Sequence, residues 1–141
     1  MKTDHFRQTH DELLQLAGEI SKLLTPAELR KDATKARSLL SKLAGKLSVH
    51  LQMEDNSLFP SIEKYNDARL NSMLKVFVNE MGGLKDAFTK YTNKWANPDH
   101  IKNNAVEFIN ETKSIFNALA KRIKQENTEL YKLIDELAVG K

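Results

Sequence analysis

The sequence contains no cysteine, which excludes disulfides, thiolate metal sites and thiol catalysis. Its 141 residues include three prolines and five glycines, so few places force a helix to stop. No stretch reaches the roughly 18 consecutive apolar residues of a membrane-spanning helix. Met1-Lys2-Thr3-Asp4-His5 lacks the apolar core of a signal peptide. The expectation is therefore a cytoplasmic protein without a membrane partner. Neither sign of charge dominates: 22 Lys and Arg face 19 Asp and Glu, for a net charge of +3. The basic residues are interleaved with acidic ones, so no phosphate-binding stripe forms and nucleic acid is not an expected partner. Gly-rich phosphate loops and Ser-His-Asp sets are missing too. What remains is a 16.1 kDa chain of ordinary globular composition, expected to fold as one domain over residues 1–141.

Apolar residues recur with the period of an α-helix almost throughout. Thr25-Pro26-Ala27-Glu28 reads as a capping box with proline at the first helical position. Lys64-Tyr65-Asn66-Asp67 and Asn97-Pro98-Asp99 are the other stops. Four helices follow, over roughly 3–24, 28–65, 67–95 and 98–137. Pro60 should kink the second, and Gly82-Gly83 should weaken the third. Short connections make successive helices antiparallel, so the fold class is all-α, an up-and-down four-helix bundle.

The inward stripes carry polar intruders: His10 on the first helix, His50 and Glu54 on the second, Arg122 and Glu126 on the fourth. Residues of an antiparallel pair share a height when they are equidistant from the connecting turn. The midpoint of His10 and His50 is residue 30, that of His50 and Met81 lies between 65 and 66, and that of Met81 and Arg122 between 101 and 102. All three fall in or near connections. His10, His50, Met81 and Arg122 are thus expected in one layer, with Glu54 and Glu126 one turn from His50 and Arg122. Burying such groups is costly unless they satisfy one another or hold a metal. Imidazole with carboxylate suits iron, zinc or manganese. The alternative is an ion-pair network in which Arg122 is the cation, unless the stripe shifts by one residue so that Ile123 takes the inward position and Arg122 points out. His5 and His100 lie off the layer and are expected at the surface, and Tyr91 and Trp95 should close one end of the bundle.

These residues resemble the hemerythrin-like, or HHE cation-binding, domain family. That family's pattern is a histidine on helix one, His-x-x-x-Glu on helix two, a histidine on helix three, and His-x-x-x-Glu on helix four. Thr9-His10-Asp11-Glu12-Leu13-Leu14 is similar to the first element. His50-Leu51-Gln52-Met53-Glu54-Asp55, ending in Leu58-Phe59-Pro60, is similar to the second. Met81 and Arg122 stand where the family has the remaining two histidines. The resemblance implies a non-haem iron site at His10, His50, Glu54 and Glu126. Methionine is a poor iron ligand, and arginine cannot ligate. The reading is a degenerate di-iron site, with Arg122 pairing Glu54 and Glu126 and no tightly bound metal, in a binding, sensing or scaffold module rather than an enzyme. A protein partner or a second copy of the chain would be its partner. The alternative is a module holding one or two iron ions. For it, the resemblance implies oxygen binding, oxidative or nitrosative stress response, or iron-sulfur repair. A redox enzyme with a two-histidine, one-carboxylate site ranks last.

Overall fold

Capping chemistry fixes where three of the four rods begin. The Thr25 side chain accepts a hydrogen bond from the Glu28 N–H, Asp67 from the Leu70 N–H and Asn97 from the Asp99 N–H, each satisfying a backbone donor that a helix start leaves free. The structure, a computed structural model, describes residues 2–139. The first rod is α1 (Asp4–Ser21). The second is α2 (Pro26–Met53), a π-turn over Glu54–Leu58, α3 (Phe59–Ile62) and a 3₁₀ turn over Glu63–Tyr65. The third is α4 (Ala68–Lys94). The fourth is α5 (Pro98–Asn103), α6 (Ala105–Gln125), a second π-turn over Glu126–Leu130 and α7 (Tyr131–Val139). The molecule is an up-and-down four-helix bundle with no strand among the described residues.

Several details differ from the expected rods, each for a local reason. The second rod kinks at Asp32 (φ −151°, ψ 68°), whose carboxylate accepts from the Lys35 N–H and caps a fresh start. The fourth breaks at Asn104, which leaves helical geometry at φ −133° and ψ 45°. Near Pro60 the distortion is the widened turn before it, where the Phe59 N–H bonds to the Glu54 carbonyl five residues back. Proline has no N–H for the carbonyl four residues earlier, that of Asn56, so the ladder is already broken there. Asn66 joins the second and third rods in the left-handed region (φ 46°), which asparagine tolerates better than most residues.

The buried apolar side chains form two clusters. One holds Leu13, Ile20, Leu40, Leu43, Phe88, Phe108, Phe116 and Ile123. The other holds Phe6, Leu58, Ile62, Leu70, Phe77, Leu130, Tyr131 and Ile134. Burial of this surface holds the rods together. Towards the end of the first cluster, Trp95 is fully buried and stacks on His100, with ring centroids 4.6 Å apart. His100 is therefore part of the packed end rather than a free surface residue. Nearby, the Tyr91 hydroxyl shares a 2.6 Å hydrogen bond with Thr112.

Gly83 is exposed inside α4, and a Cβ added to it would meet nothing within 4 Å. Its glycine therefore carries only the helix penalty. Gly83→Ala is expected to stabilise the protein by about 0.5–1 kcal/mol, read as a higher midpoint in urea with an unchanged slope.

Candidate metal centre

His10, His50, Glu54 and Glu126 are all buried, none more than 2% exposed. His50 and Glu54 share a helix face, and the Nε2 of His50 lies 3.2 Å from Oε1 of Glu54. Across the bundle, His10 Nε2 is 3.0 Å from His50 Nε2 and 3.4 Å from Glu126 Oε1. Four of the six residues singled out from the sequence thus converge. Met81 is buried and lines a cleft beside the two glutamates.

Arg122 makes no ion pair with Glu54 or Glu126, and acts on Glu126 only as a more distant charge that lowers its carboxyl. It forms an ion pair with Glu80 at the edge of the bundle, while Ile123 is buried in its place. From Leu119 to Glu126 the inward path crosses one intermediate turn, and a 3.6-residue period admits either position 122 or 123 there. Burying isoleucine and leaving the guanidinium near solvent is the cheaper choice. Substituting Arg122 therefore tests a rim ion pair, not the neutralisation of a buried charge.

Three site residues were not singled out in the sequence: Thr9, Asn127 and Tyr131. Thr9 Oγ1 lies 2.8 Å from the Phe6 carbonyl and shares a 2.6 Å hydrogen bond with His50 Nδ1. His10 Nδ1 donates to Asn127 Oδ1 at 2.8 Å. Asn127 holds the His10 ring proton on Nδ1, so His10 Nε2 presents a lone pair, while the His50 ring lies between Thr9 Oγ1 at Nδ1 and both His10 Nε2 and Glu54 Oε1 at Nε2. Tyr131 stacks on His10, with centroids 5.2 Å apart, and its hydroxyl donates to Glu54 Oε2 at 2.7 Å. The second π-turn delivers it there: the Tyr131 N–H bonds to the Glu126 carbonyl, and the widened turn buries the consecutive residues Leu130 and Tyr131. Arg7 supports the same turn by donating to the Asn127 carbonyl at 3.1 Å.

The electrostatics follow from burial. Burial, then the neighbouring His50, push His10 down to about 4, so its ring is neutral at pH 7. Burial, then the Glu54 charge, hold Glu126 well above the ordinary carboxyl range. Burial alone would raise Glu54 too, but hydrogen bonds from His50, Glu126 and Tyr131 outweigh it and keep this carboxyl low. Burial, then Glu126 and Glu54, drive the Tyr131 phenol upward. The two carboxyl groups are thus pushed in opposite directions, Glu126 upward and Glu54 downward.

The two Nε2 atoms face each other at 3.0 Å, a gap that either a proton on His50 Nε2 or a shared cation can bridge. The Oε1 of Glu126, buried and close to His10 Nε2, has no hydrogen-bond donor. Ligand atoms of His10, His50 and Glu126 all lie within 4.8 Å of one another. Nitrogens about 2.1 Å from one ion sit about 3.0 Å apart when adjacent in an octahedral shell and about 3.4 Å apart in a tetrahedral one. The observed 3.0 Å matches the octahedral case. This donor set fits one ion. It does not fit two, because Met81 and Arg122 supply no imidazole on the opposite side.

A helical bundle with inward histidines and glutamates on facing helices defines the class of bundle proteins that build metal sites in their cores. The chain belongs to the hemerythrin HHE cation-binding domain family, whose model matches residues 1–134. No curated protein and no solved structure matched. None of the helices among the described residues is long and apolar enough to cross a membrane.

Proposed function

We propose that this domain binds a single octahedral divalent ion, iron(II) being the best chemical match, and acts as a mononuclear metal-binding or sensing module. His10, His50 and Glu126 would hold the ion, with Glu54 beside them. Two histidines and one carboxylate are a donor set suited to non-haem iron(II). The observation that carries the reading is the convergence of the two Nε2 atoms with an unpartnered, buried Glu126 oxygen beside them. Arg122 would have filled the need for a cation in a metal-free site, and it is engaged with Glu80 instead.

Bound iron would supply exchangeable coordination positions and one-electron chemistry. The chain's own residues have distinct tasks. Asn127 keeps His10 Nδ1 protonated and its Nε2 available, and Thr9 holds the His50 ring in place. Tyr131 orients Glu54. Phe6, edge-on to His50 with centroids 6.0 Å apart, shields the pair from water.

The test is metal analysis of protein loaded anaerobically with iron(II) and desalted. One ion per chain, without the absorption of an oxo-bridged iron pair after exposure to air, is the expected result. Two ions per chain, or none at micromolar free iron, would sink the mononuclear reading.

A further inference from the structure

A second feature adjoins the glutamates but not the histidines. A cleft of about 200 Å³ opens between the second and third rods. Its walls include Leu51, Phe59, Phe77 and Met81, and Glu54 and Glu126 line it as well. An apolar cavity of about 150 Å³ is already large enough for benzene, so one aromatic ring fits. Two phenyl groups and a thioether are favourable neighbours for a ring, and the phenyl faces also attract cations.

The polar requirement comes from the carboxyl groups. Both are buried, and Glu126 carries an oxygen that no donor reaches. Arg122, whose charge lowers the Glu126 carboxyl, makes its ion pair with Glu80. At the rim, Lys85 and Asp55 carry opposite charges and offset each other. The cleft therefore offers apolar walls and two buried carboxyl groups that make no ion pair with a lysine or arginine in the structure.

We propose that this cleft is a binding site for a small aryl or heteroaryl base, a single aromatic ring carrying a protonated nitrogen. The ring lies among Phe59, Phe77 and Met81, and the N–H group donates to the Glu54 and Glu126 carboxyl groups. The base would use the Glu126 carboxyl that the proposed ion also needs, so the two occupants exclude each other, and the test is run on chelator-treated protein so that the two readings fail separately.

Three probes of one shape decide the point: benzylamine, benzyl alcohol and benzoate, titrated into ¹⁵N-labelled protein. Benzylamine is expected to shift amides in segments 51–59 and 77–85 and to bind at least about tenfold tighter than benzyl alcohol, a difference of about 1.4 kcal/mol. Benzoate is expected not to bind. Equal binding of all three, or shifts confined to another surface, would overturn the proposal. Gly82→Leu provides an independent check. Gly82 lines the cleft, is exposed, and has open space around its Cβ position, so a side chain there obstructs the cleft without disturbing the core. It should weaken benzylamine at least about tenfold while the thermal midpoint is kept. Unchanged affinity in a folded Gly82→Leu protein counts against the site.

Discussion

Replacing Glu126 with glutamine is expected to make the metal-free protein more stable, increasingly so as pH rises. Burial and the Glu54 charge hold the Glu126 carboxyl well above its ordinary value in the folded state. Above the unfolded pKa the unfolded chain ionises while the folded chain keeps its proton. Folding then opposes proton release, and stability is lost as pH rises towards the folded pKa. Glutamine has no proton to lose. The variant should gain on the wild type by about 1.4 kcal/mol per pH unit from about pH 4.5 upward, levelling off once folded Glu126 itself ionises. Metal reverses the ranking. Ligation requires the carboxylate, so binding near neutral pH should expel about one proton per ion from Glu126. Calorimetry in buffers of different ionisation enthalpy measures that proton directly. The glutamine variant should bind weakly and release none. A variant no more stable than wild type at pH 8 than at pH 5 would show that Glu126 is not held protonated.

Removing an imidazole should be the most damaging change to metal affinity. His50→Ala deletes a ligand whose ring is held in place by Thr9. Disturbing such an outer partner alone typically costs about 10–100-fold in affinity. Thr9→Val is expected within that range, and His50→Ala beyond about 100-fold. Arg122→Met is the contrasting control. Its ion pair with Glu80 lies at the rim, where Arg122 is 18% and Glu80 42% exposed. Such pairs contribute at most about 1 kcal/mol, so both stability and metal affinity should be close to those of the wild type. Competition with a chromophoric chelator ranks the three. A loss of several kcal/mol in Arg122→Met would place the guanidinium back among the buried carboxylates.

The bundle and the position of its polar layer were legible because both depend on counting. Helix stops at Thr25, Asp67 and Asn97 fix the turns, and equal distances from a turn place His10 beside His50. Helical periodicity does not separate Arg122 from Ile123, neighbouring positions one turn from Glu126, and the sequence alone admits either. The hydrophobic preference for Ile123 decided it. Thr9, Asn127 and Tyr131 act through hydrogen bonds whose partners lie on other rods. Spacing along one helix carries little trace of such contacts. One signal was available: Glu54…Leu58-Phe59 and Glu126…Leu130-Tyr131 share the same spacing. The second places a phenol where the first has a phenyl ring.

His10 acts on stability in the opposite sense to Glu126. Its folded pKa of about 4 lies below the ordinary imidazole value, so its contribution is present above about pH 6.5 and lost as pH falls towards 4. Between pH 4.5 and 6.5 the two groups work against each other. The metal-free wild type should therefore show a flatter acid profile than Glu126→Gln, which keeps only the histidine's half of the balance.

Each π-turn places one more residue in a turn than an α-helix would hold, the geometry left by a one-residue insertion. Both begin at a glutamate of the site. In terms of chain register, shortening either turn by a residue would rotate everything after it by about 100° about the helix axis. For the second turn, that would carry Tyr131 off Glu54 and Asp135 away from the Thr3 hydroxyl it accepts from at 2.7 Å. The layer of glutamates is thus also where the phase of two rods is set, and the site is sensitive there to the length of the chain as well as to its side chains.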